Sequence, residues 1–262
     1  MKLTIGMPSY KNHEQVWWTI EALRLYQDVK DCEILVVDNY GSEDTKKVCR
    51  DTKIRYELFN EVNGTGPVRN KIFDLAKNDF VLVMDSHILL YPEAISKLKV
   101  WLASNWEDAK NLLQGPIVLS ALVNAYTHYE NKWRAHMWGT WPPAVIPESI
   151  PEEPFEIEMM GCGLFGCRKD SWLGFHKDCK GFDGVEGVIH EKYRRSGRKV
   201  LCLPFLKWVH RFGPKFGYPL LLDDKIRNFL LGFEEIGLDP KPIYEHFGED
   251  EVEAVRKRIS EG

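Results

Sequence analysis

Short apolar runs alternate with helical patterns along the first third of the chain. The predicted strands are residues 2–7, 33–38, 55–59 and 80–84. Between them, residues 14–26 carry apolar side chains at helical spacing, and Ser42 is placed to cap a further helix. Thr65 and Pro67 open a helix that runs to about residue 77, since proline fits the first helical turn. Strands that alternate with helices predict parallel pairing. The predicted fold class is therefore α/β, with a mixed, mainly parallel sheet flanked by helices and a ligand site beyond the carboxyl ends of the strands.

The polar end of the fourth predicted strand carries candidate metal ligands. Asp85 and His87 directly follow the apolar run 79–84, and strand residues two apart point to the same side. A carboxylate and an imidazole together suit a divalent ion such as Mn²⁺ or Mg²⁺. Such an ion can bind a diphosphate, which favours an enzyme that uses a nucleotide sugar. Taken alone, this pair of residues is a weak signal.

The second half of the chain supplies further candidates. Residues 159–168 form a glycine-broken apolar segment, which suits a strand that passes close to a ligand. A charged helix is predicted at 188–196 and a strand at 198–204, with His210 beyond it. On its own, His210 could be an ordinary surface histidine. As a third ligand for an ion held by Asp85 and His87, it has a defined role.

Composition narrows the function classes. The net charge of −4 argues against a globally basic nucleic-acid binder, although residues 168–227 contain 14 Lys and Arg against 7 Asp and Glu. That stretch is either a solvated face or a surface for an anionic substrate. The six cysteines have no zinc-type spacing, and the sequence shows no leader and no long apolar run. We therefore expect a cytoplasmic protein without integral membrane contact, any membrane contact being peripheral.

Three other segments have less specific patterns. Residues 126–141 are dense in aromatics, which predicts either packing of an insertion or a platform for the acceptor. The proline-containing segment 142–154 is predicted to be a loop that closes on the donor. The tail, residues 219–262, is predicted to form two amphipathic helices, near 220–236 and 250–259, that pack on the rest of the chain.

Together these motifs resemble the GT-A glycosyltransferases of the family 2 type. The metal motif is similar to that of the polypeptide N-acetylgalactosaminyltransferases. The matching segments are residues 6–12, 36–39, 66–70, 84–87, 161–165, 184–187 and His210, which follows Pro204 by six residues. The resemblance covers roughly residues 1–212. The chain departs from it at Gly187, where the relatives have Asn or Asp.

The resemblance implies a UDP-sugar donor, an Mn²⁺ or Mg²⁺ cofactor and three groups of site residues. The implied metal ligands are Asp85, His87 and His210. The implied donor-binding residues are Pro8, Tyr10, Asp38, Asn39, Gly66, Arg69, Asp85 and Ser86. The acceptor-side candidates for catalysis are Glu186, Asp183 and Glu191. Asp38 would bind the base or ribose and Tyr10 would stack on the base. Glu186 would accept a proton in an inverting reaction, or only position the acceptor in a retaining one.

The predicted organisation is a GT-A domain at 1–218 with a helical extension at 219–262. Residues 1–90 would form the nucleotide-sugar half of the domain, and 91–218 the acceptor half. The predicted function is transfer of a sugar from a UDP-sugar to a hydroxyl acceptor, a glycan or another molecule. One alternative acceptor is a hydroxymethylated base in DNA, and another class is a non-catalytic module that binds sugar or nucleic acid. The identity of the sugar, the acceptor, the stereochemistry and the oligomeric state stay open.

Overall fold

The computed structural model describes residues 2–120, 124–141, 150–211 and 217–261. The strands are β1 (Thr4–Ser9), β2 (Glu33–Asp38), β3 (Arg55–Leu58), β4 (Phe80–Met84), β5 (Ile88–Leu90), β6 (Leu112–Gln114), β7 (Ile117–Ser120), β8 (Asn124–Tyr126), β9 (Glu130–Arg134), β10 (Met137–Thr140), β11 (Phe155–Glu156), β12 (Leu164–Arg168), β13 (Val200–Cys202) and β14 (Trp208–His210). The helices are α1 (His13–Tyr26), α2 (Glu43–Asp51), α3 (Thr65–Leu75), α4 (Ala94–Ser104), α5 (Glu186–Arg195), α6 (Leu222–Ile236), α7 (Lys241–Phe247) and α8 (Glu249–Glu261). Most of the predicted loop at 142–154 lies outside the described residues.

The main sheet has the strand order β11-β13-β6-β12-β4-β1-β2-β3 within the described part of the chain. Strands β4, β1, β2 and β3 are parallel neighbours, whereas β12 runs antiparallel between β4 and β6. Helices cover the sheet, so its central strands are continuous apolar runs rather than alternating ones. The prediction of a mixed, mainly parallel sheet flanked by helices is confirmed.

Helix α3 lies unusually close to the sheet because β1 has a glycine where the two meet. A Cβ atom at Gly6 would lie 2.0 Å from Cγ2 of Ile72 on α3. Any larger residue would therefore push α3 outward. The close approach fixes the position of Arg69, one turn earlier on the same helix, relative to the ends of β1 and β4.

A second sheet has the order β5-β14-β7-β8 among the described residues. Its first strand, β5, follows β4 after only a three-residue turn, residues 85–87. Strand β14 pairs antiparallel with β5, and His210 lies opposite Ile88 in the register. This pairing brings the distant end of β14 next to the turn that ends β4.

The tail differs from the prediction, because three helices stand where two were expected. The additional helix, α7, has a proline at its first turn, a position that helices tolerate. Side chains of the three helices form a second apolar cluster, against which Trp133 and Trp138 of the β9–β10 hairpin pack. Those two tryptophans of the aromatic segment thus take part in packing. Helix α5 also begins earlier than predicted, at Glu186 rather than residue 188.

Candidate active site

A cavity of about 560 Å³ lies at the carboxyl ends of β1 and β4. Its lining residues are Pro8, Tyr10, Asn12, Thr65, Arg69, Asp85, Ser86, His87, Phe182, His210, Gly217, Tyr218 and Leu220. The lining therefore includes seven of the predicted donor and metal residues together with segments from the far end of the chain. A ligand site at this edge of the sheet is what the topology predicts.

The turn after β4 is held by hydrogen bonds from two sides. The Asp85 backbone N–H donates to the Gly163 carbonyl at 2.8 Å. The Thr19 hydroxyl donates to the Ser86 carbonyl at 2.6 Å, and the Asn12 amide donates to the Ser86 hydroxyl. Ser86 is buried, and its polar atoms thus tie the turn to α1. This leaves the flanking side chains of the turn facing the cavity.

His210 reaches this turn through the β5–β14 pairing. The Arg211 backbone N–H donates to the His87 carbonyl at 3.0 Å, which continues the pairing beyond β5. As a result the Nε2 atoms of His87 and His210 lie 3.1 Å apart. His87 Nε2 lies 3.9 Å from Oδ2 of Asp85. Ligand atoms of all three residues lie within 4.8 Å of one another.

The donor set fits a divalent cation. Burial lowers the pKa of His87, and burial together with the neighbouring His87 ring lowers the pKa of His210 to about 4. Both imidazoles are therefore neutral near pH 7, the form that coordinates metal. One carboxylate and two imidazoles on separate strands suit Mn²⁺ or a similar ion. The structure thus brings together all three predicted metal ligands.

Arg69 supplies a buried positive charge beside the same carboxylate. Its Nη2 donates to Oδ1 of Asp85 at 3.0 Å, and the Arg69 side chain is only 5% exposed. Its Nε and Nη1 have no hydrogen-bond partner among the described residues. Buried guanidinium groups are costly to leave unsatisfied. The arrangement therefore suits an anionic ligand in the cavity, bound by Arg69 from the side of α3.

The three acidic candidates on the acceptor side are in different environments. Burial and the neighbouring Asp183 raise the pKa of Glu186, which also interacts electrostatically with Arg69. Asp183 binds the Lys225 ammonium at 2.7 Å. Glu191 pairs with Arg194, at 2.6 Å, on the same helix. None of the three is among the described residues that line the cavity, but Glu186 is close enough to Arg69, which does line it, to interact with that charge.

Three of the predicted donor-binding residues, Asp38, Asn39 and Gly66, are outside the cavity lining that the described residues form. Asp38 is fully buried and accepts hydrogen bonds from the backbone N–H groups of Tyr40 and Ser42. Asn39 accepts a hydrogen bond from the Gly64 backbone N–H, at 2.8 Å. In the structure both side chains therefore shape loops next to the cavity, and their contact with a donor stays a prediction.

Several lining residues were not among the predicted ones. They are Asn12, Thr65, Phe182, Gly217, Tyr218 and Leu220. Tyr218 stacks on Tyr10 with a ring-centroid distance of 4.2 Å, and its hydroxyl donates to Oδ1 of Asn39 at 2.6 Å. The ring of Tyr10, predicted to stack on a base, is thus partly covered. Asn12 lies in the matched segment 6–12, Thr65 opens a predicted helix and Phe182 is next to Asp183, whereas Tyr218 and Leu220 lie beyond the motifs.

Cys162 occupies the position between the glycines of the 161–165 motif and is buried close to the cavity. Its pKa is raised by burial and by the neighbouring carboxylate of Glu186. The thiol is therefore neutral and behaves as a small apolar side chain. All six cysteines of the chain are unpaired.

The locally basic stretch 168–227 is largely engaged in internal contacts. Lys192 pairs with Glu235 at 2.7 Å, and Arg195 donates to the Ile236 carbonyl at 3.0 Å. Lys169 donates to the Ala76 carbonyl at 2.7 Å. These cations hydrogen-bond to carbonyl groups at helix ends or form ion pairs. Their contacts favour the interpretation that the basic stretch stabilises the fold over the interpretation that it binds an anionic substrate.

Fold and site together define a nucleotide-sugar-binding protein of the GT-A type. Residues 4–142, more than half of the chain, match the family described as glycosyl transferase family 2. The chain belongs to that family. It is 32% identical over 103 residues to a Campylobacter jejuni protein named GalNAc(5)-diNAcBac-PP-undecaprenol beta-1,3-glucosyltransferase. The match covers 37% of this chain, and the chain spans about a third of that relative, 33% of its length.

Solved structures with the same fold include several glycosyltransferases. GalNAc-T7 with UDP, GalNAc and Mn²⁺ has a TM-score of 0.70 at 14% identity, covering 89% of this chain and 48% of its own. Staphylococcus aureus TarS in complex with UDP-GlcNAc has a TM-score of 0.59 at 15% identity, covering 90% and 66%. The mannosyltransferase PcManGT from Pyrobaculum calidifontis, in complex with GDP-Man and Mn²⁺, has a TM-score of 0.58 at 14% identity, covering 98% and 74%. At these identities the likeness shows the fold alone.

Proposed function

We propose that this protein is a metal-dependent glycosyltransferase that moves a sugar from a UDP-sugar to a hydroxyl group. The observation that carries the proposal is the convergence of Asp85, His87 and His210 at the rim of one cavity, with ligand atoms within 4.8 Å of one another. A module that only bound sugar would have no need of this donor set. Family membership supports glycosyl transfer as the reaction class.

On the donor side, the proposed work is to stabilise charge on the leaving group. A divalent cation, when bound by the three ligands, would neutralise negative charge that develops on the nucleoside diphosphate. Arg69 holds a second, permanent positive charge at the same edge of the cavity. Because it is buried and already positioned by α3, it needs no reorganisation during the reaction. Arg69 also orients Asp85, since it donates a hydrogen bond to one of the two carboxylate oxygens.

On the acceptor side, Glu186 is the proposed catalytic carboxylate. Its raised pKa makes it a better base toward a hydroxyl group than an ordinary surface glutamate. In an inverting reaction it would take the acceptor proton, and in a retaining reaction it would only hold the acceptor. Asp183 raises the pKa of Glu186 and is itself bound to Lys225, so we propose it as a supporting residue. Glu191, paired with Arg194, is the weakest of the three candidates.

The nature of donor and acceptor rests on resemblance. Mn²⁺ accompanies UDP in one structural neighbour and GDP-Man in another, so the metal site does not decide the base. The UDP preference follows the similarity of the Asp-x-His motif to that of the polypeptide N-acetylgalactosaminyltransferases. We propose a glycan acceptor, because the Campylobacter relative is named for transfer to a lipid-linked glycan. The unpaired cysteines support action in a reducing compartment such as the cytoplasm.

The test is release of nucleoside diphosphate from UDP-, GDP- and TDP-sugars, with Mn²⁺ or with EDTA, and with glycan or hydroxymethylated DNA as acceptor. We expect release that requires Mn²⁺ and a UDP-sugar, is stimulated by glycan and is lost in His210→Ala. The matched control is His176→Ala, a histidine outside the cavity lining. Stimulation by the DNA would identify the alternative acceptor. Equal release with EDTA would refute the metal-dependent mechanism, and donor binding without any release would indicate a binding module.

A further inference from the structure

Helix α1 exposes an apolar ridge on the side that faces away from the sheet. The exposed fractions are 42% for Trp17, 57% for Trp18, 72% for Leu25 and 61% for Tyr26. Trp18 and Leu25 are seven residues apart, two helical turns, so they lie in one line along the helix. Large apolar side chains grouped in this way on one helix indicate an interaction surface.

The ridge ends at a cleft that carries positive charge. This cleft, of about 790 Å³, lies at the opposite end of α1 from the candidate active site and is lined by Leu25 and Tyr26 together with Lys30, Lys53 and Lys77. Within the described part of the chain, none of the three lysine side chains forms an ion pair or hydrogen bond. They are also exposed to solvent.

The lining of the cleft carries more basic than acidic side chains, and its two acidic groups are paired with cations. Glu33 pairs with Arg55 at 2.7 Å, and Asp28 lies 3.4 Å from the Lys99 ammonium. Five of the lining residues are cationic (Arg24, Lys30, Lys53, Arg55 and Lys77) and two are acidic (Asp28 and Glu33), so the lining has an excess of three positive charges. Positive charge beside exposed apolar side chains is the combination that an anionic amphiphile complements.

We propose that the outer face of α1 and this cleft form a docking surface for membranes that contain anionic phospholipids. The helix would lie in the interface, with Trp18 and Leu25 inserted among the acyl chains at headgroup depth. Tryptophan and tyrosine favour this zone because their rings are amphipathic. Lys30, Lys53 and Lys77 would bind lipid phosphates. Each lysine near such a surface strengthens partitioning about fivefold.

This mode of binding is peripheral and separate from the proposed catalysis. Within the described residues, no helix is long and apolar enough to cross a membrane. The cleft lies at the amino ends of the strands, whereas the metal-ligand residues lie at their carboxyl ends, so neither site obstructs the other. Vesicle binding can therefore be measured without donor, metal or turnover, and its result does not depend on the proposed reaction.

The experiment is co-sedimentation of the full chain with vesicles of phosphatidylcholine alone or mixed with phosphatidylglycerol, at low and high salt. We expect binding to the anionic vesicles that weakens with salt. The double variant Trp18→Ser with Leu25→Ser should lower the partition coefficient about tenfold or more. The triple change of Lys30, Lys53 and Lys77 to Gln should lower it about a hundredfold and remove the salt dependence. All five residues are exposed, so these variants should unfold at the wild-type temperature.

The matched control is Val100→Ser, because Val100 is as exposed as Leu25 but lies on α4. It should bind vesicles like the wild type. Binding to neither vesicle would overturn the proposal, as would unchanged binding of the Trp18 and Leu25 double variant. A dimer in sedimentation velocity that the same variant abolishes would also overturn it, because a second copy of the chain would then cover the ridge.

Discussion

Replacing Arg69 by Met should leave the Asp85 carboxylate buried without its partner. The two groups are joined by a 3.0 Å hydrogen bond, and their side chains are only 5% and 17% exposed. Removing one partner of a buried pair costs about 3–5 kcal/mol, because the remaining charge stays desolvated. Since Asp85 keeps some contact with the cavity, we expect the lower end, about 3 kcal/mol. Met fills most of the space of Arg, so the loss is mainly electrostatic.

Two further variants separate the charge effect from packing. In Arg69→Met with Asp85→Asn, neither charge is left, and the free energy of unfolding should return to within about 1 kcal/mol of the wild type. Mn²⁺ should stabilise Arg69→Met by RT ln(1 + [Mn²⁺]/Kd), about 2.7 kcal/mol at a hundredfold excess over Kd. It should leave the double variant unchanged, because Asp85 no longer offers a carboxylate.

The assay is guanidinium-induced unfolding with Mn²⁺ or with EDTA, followed by circular dichroism. Two results would refute the reasoning. One is an Arg69→Met variant as stable as the wild type, which would mean that the pair contributes nothing. The other is a double variant whose loss equals the sum of the single losses, since independent effects would exclude direct coupling.

Three further changes test the surroundings of the site. Gly187→Ala should lower the free energy of unfolding by about 1–3 kcal/mol, because the added Cβ would lie 2.3 Å from the Trp138 ring. Adding Trp138→Ala should relieve that loss, as measured by thermal unfolding. Burial lowers the pKa of His190 from 6.5 to about 3, so as the pH falls the unfolded chain takes up a proton before the folded chain does. The free energy of unfolding should therefore be unaffected above pH 6.5 and lower by about 2 kcal/mol near pH 5. His190→Gln should remove this pH dependence in urea titrations. Asn228→Ala removes hydrogen bonds to the Lys180 and Asp183 carbonyls and should lower kcat about tenfold in steady-state assays, with KM for the donor unchanged.

The local part of the site could be predicted from the sequence, because its residues follow strands that are visible as apolar runs. Asp85 and His87 flank one residue at the end of β4, so their proximity follows from strand geometry. His210 is different. Its place depends on the pairing of β14 with β5, two three-residue strands whose partners no local pattern specifies. Only the motif spacing of the family resemblance predicts its place, and the periodicity of its own segment does not.

The acceptor side of the site and the residues that close the cavity could not be predicted. Their positions depend on the exact start of a helix or on contacts between segments distant in the sequence. The sequence departs from the family pattern at Gly187, so it does not decide which of Asp183, Glu186 and Glu191 faces the acceptor, and α5 begins two residues before the predicted start. Residues five apart on a helix are separated by about 140° around its axis, so they cannot both face the cavity. Tyr218 precedes the predicted helix 220–236 and Leu220 begins it, but the apolar pattern of that helix does not show that either residue enters the cavity. Their position depends on tertiary contacts such as the stacking of Tyr218 on Tyr10.

The contacts of α6 bear on the predicted boundary at residue 218. Asn228 is buried, and its amide binds the loop before α5 through both Lys180 and Asp183. Lys225 on the same helix holds the Asp183 carboxylate, which in turn raises the pKa of Glu186. The extension therefore fixes the geometry and the charge of the acceptor-side loop. A boundary at 218 therefore separates Lys225 and Asn228 from the loop that they hold, so in the proposed mechanism the helices after it would support the site even though their sequence carries no catalytic motif.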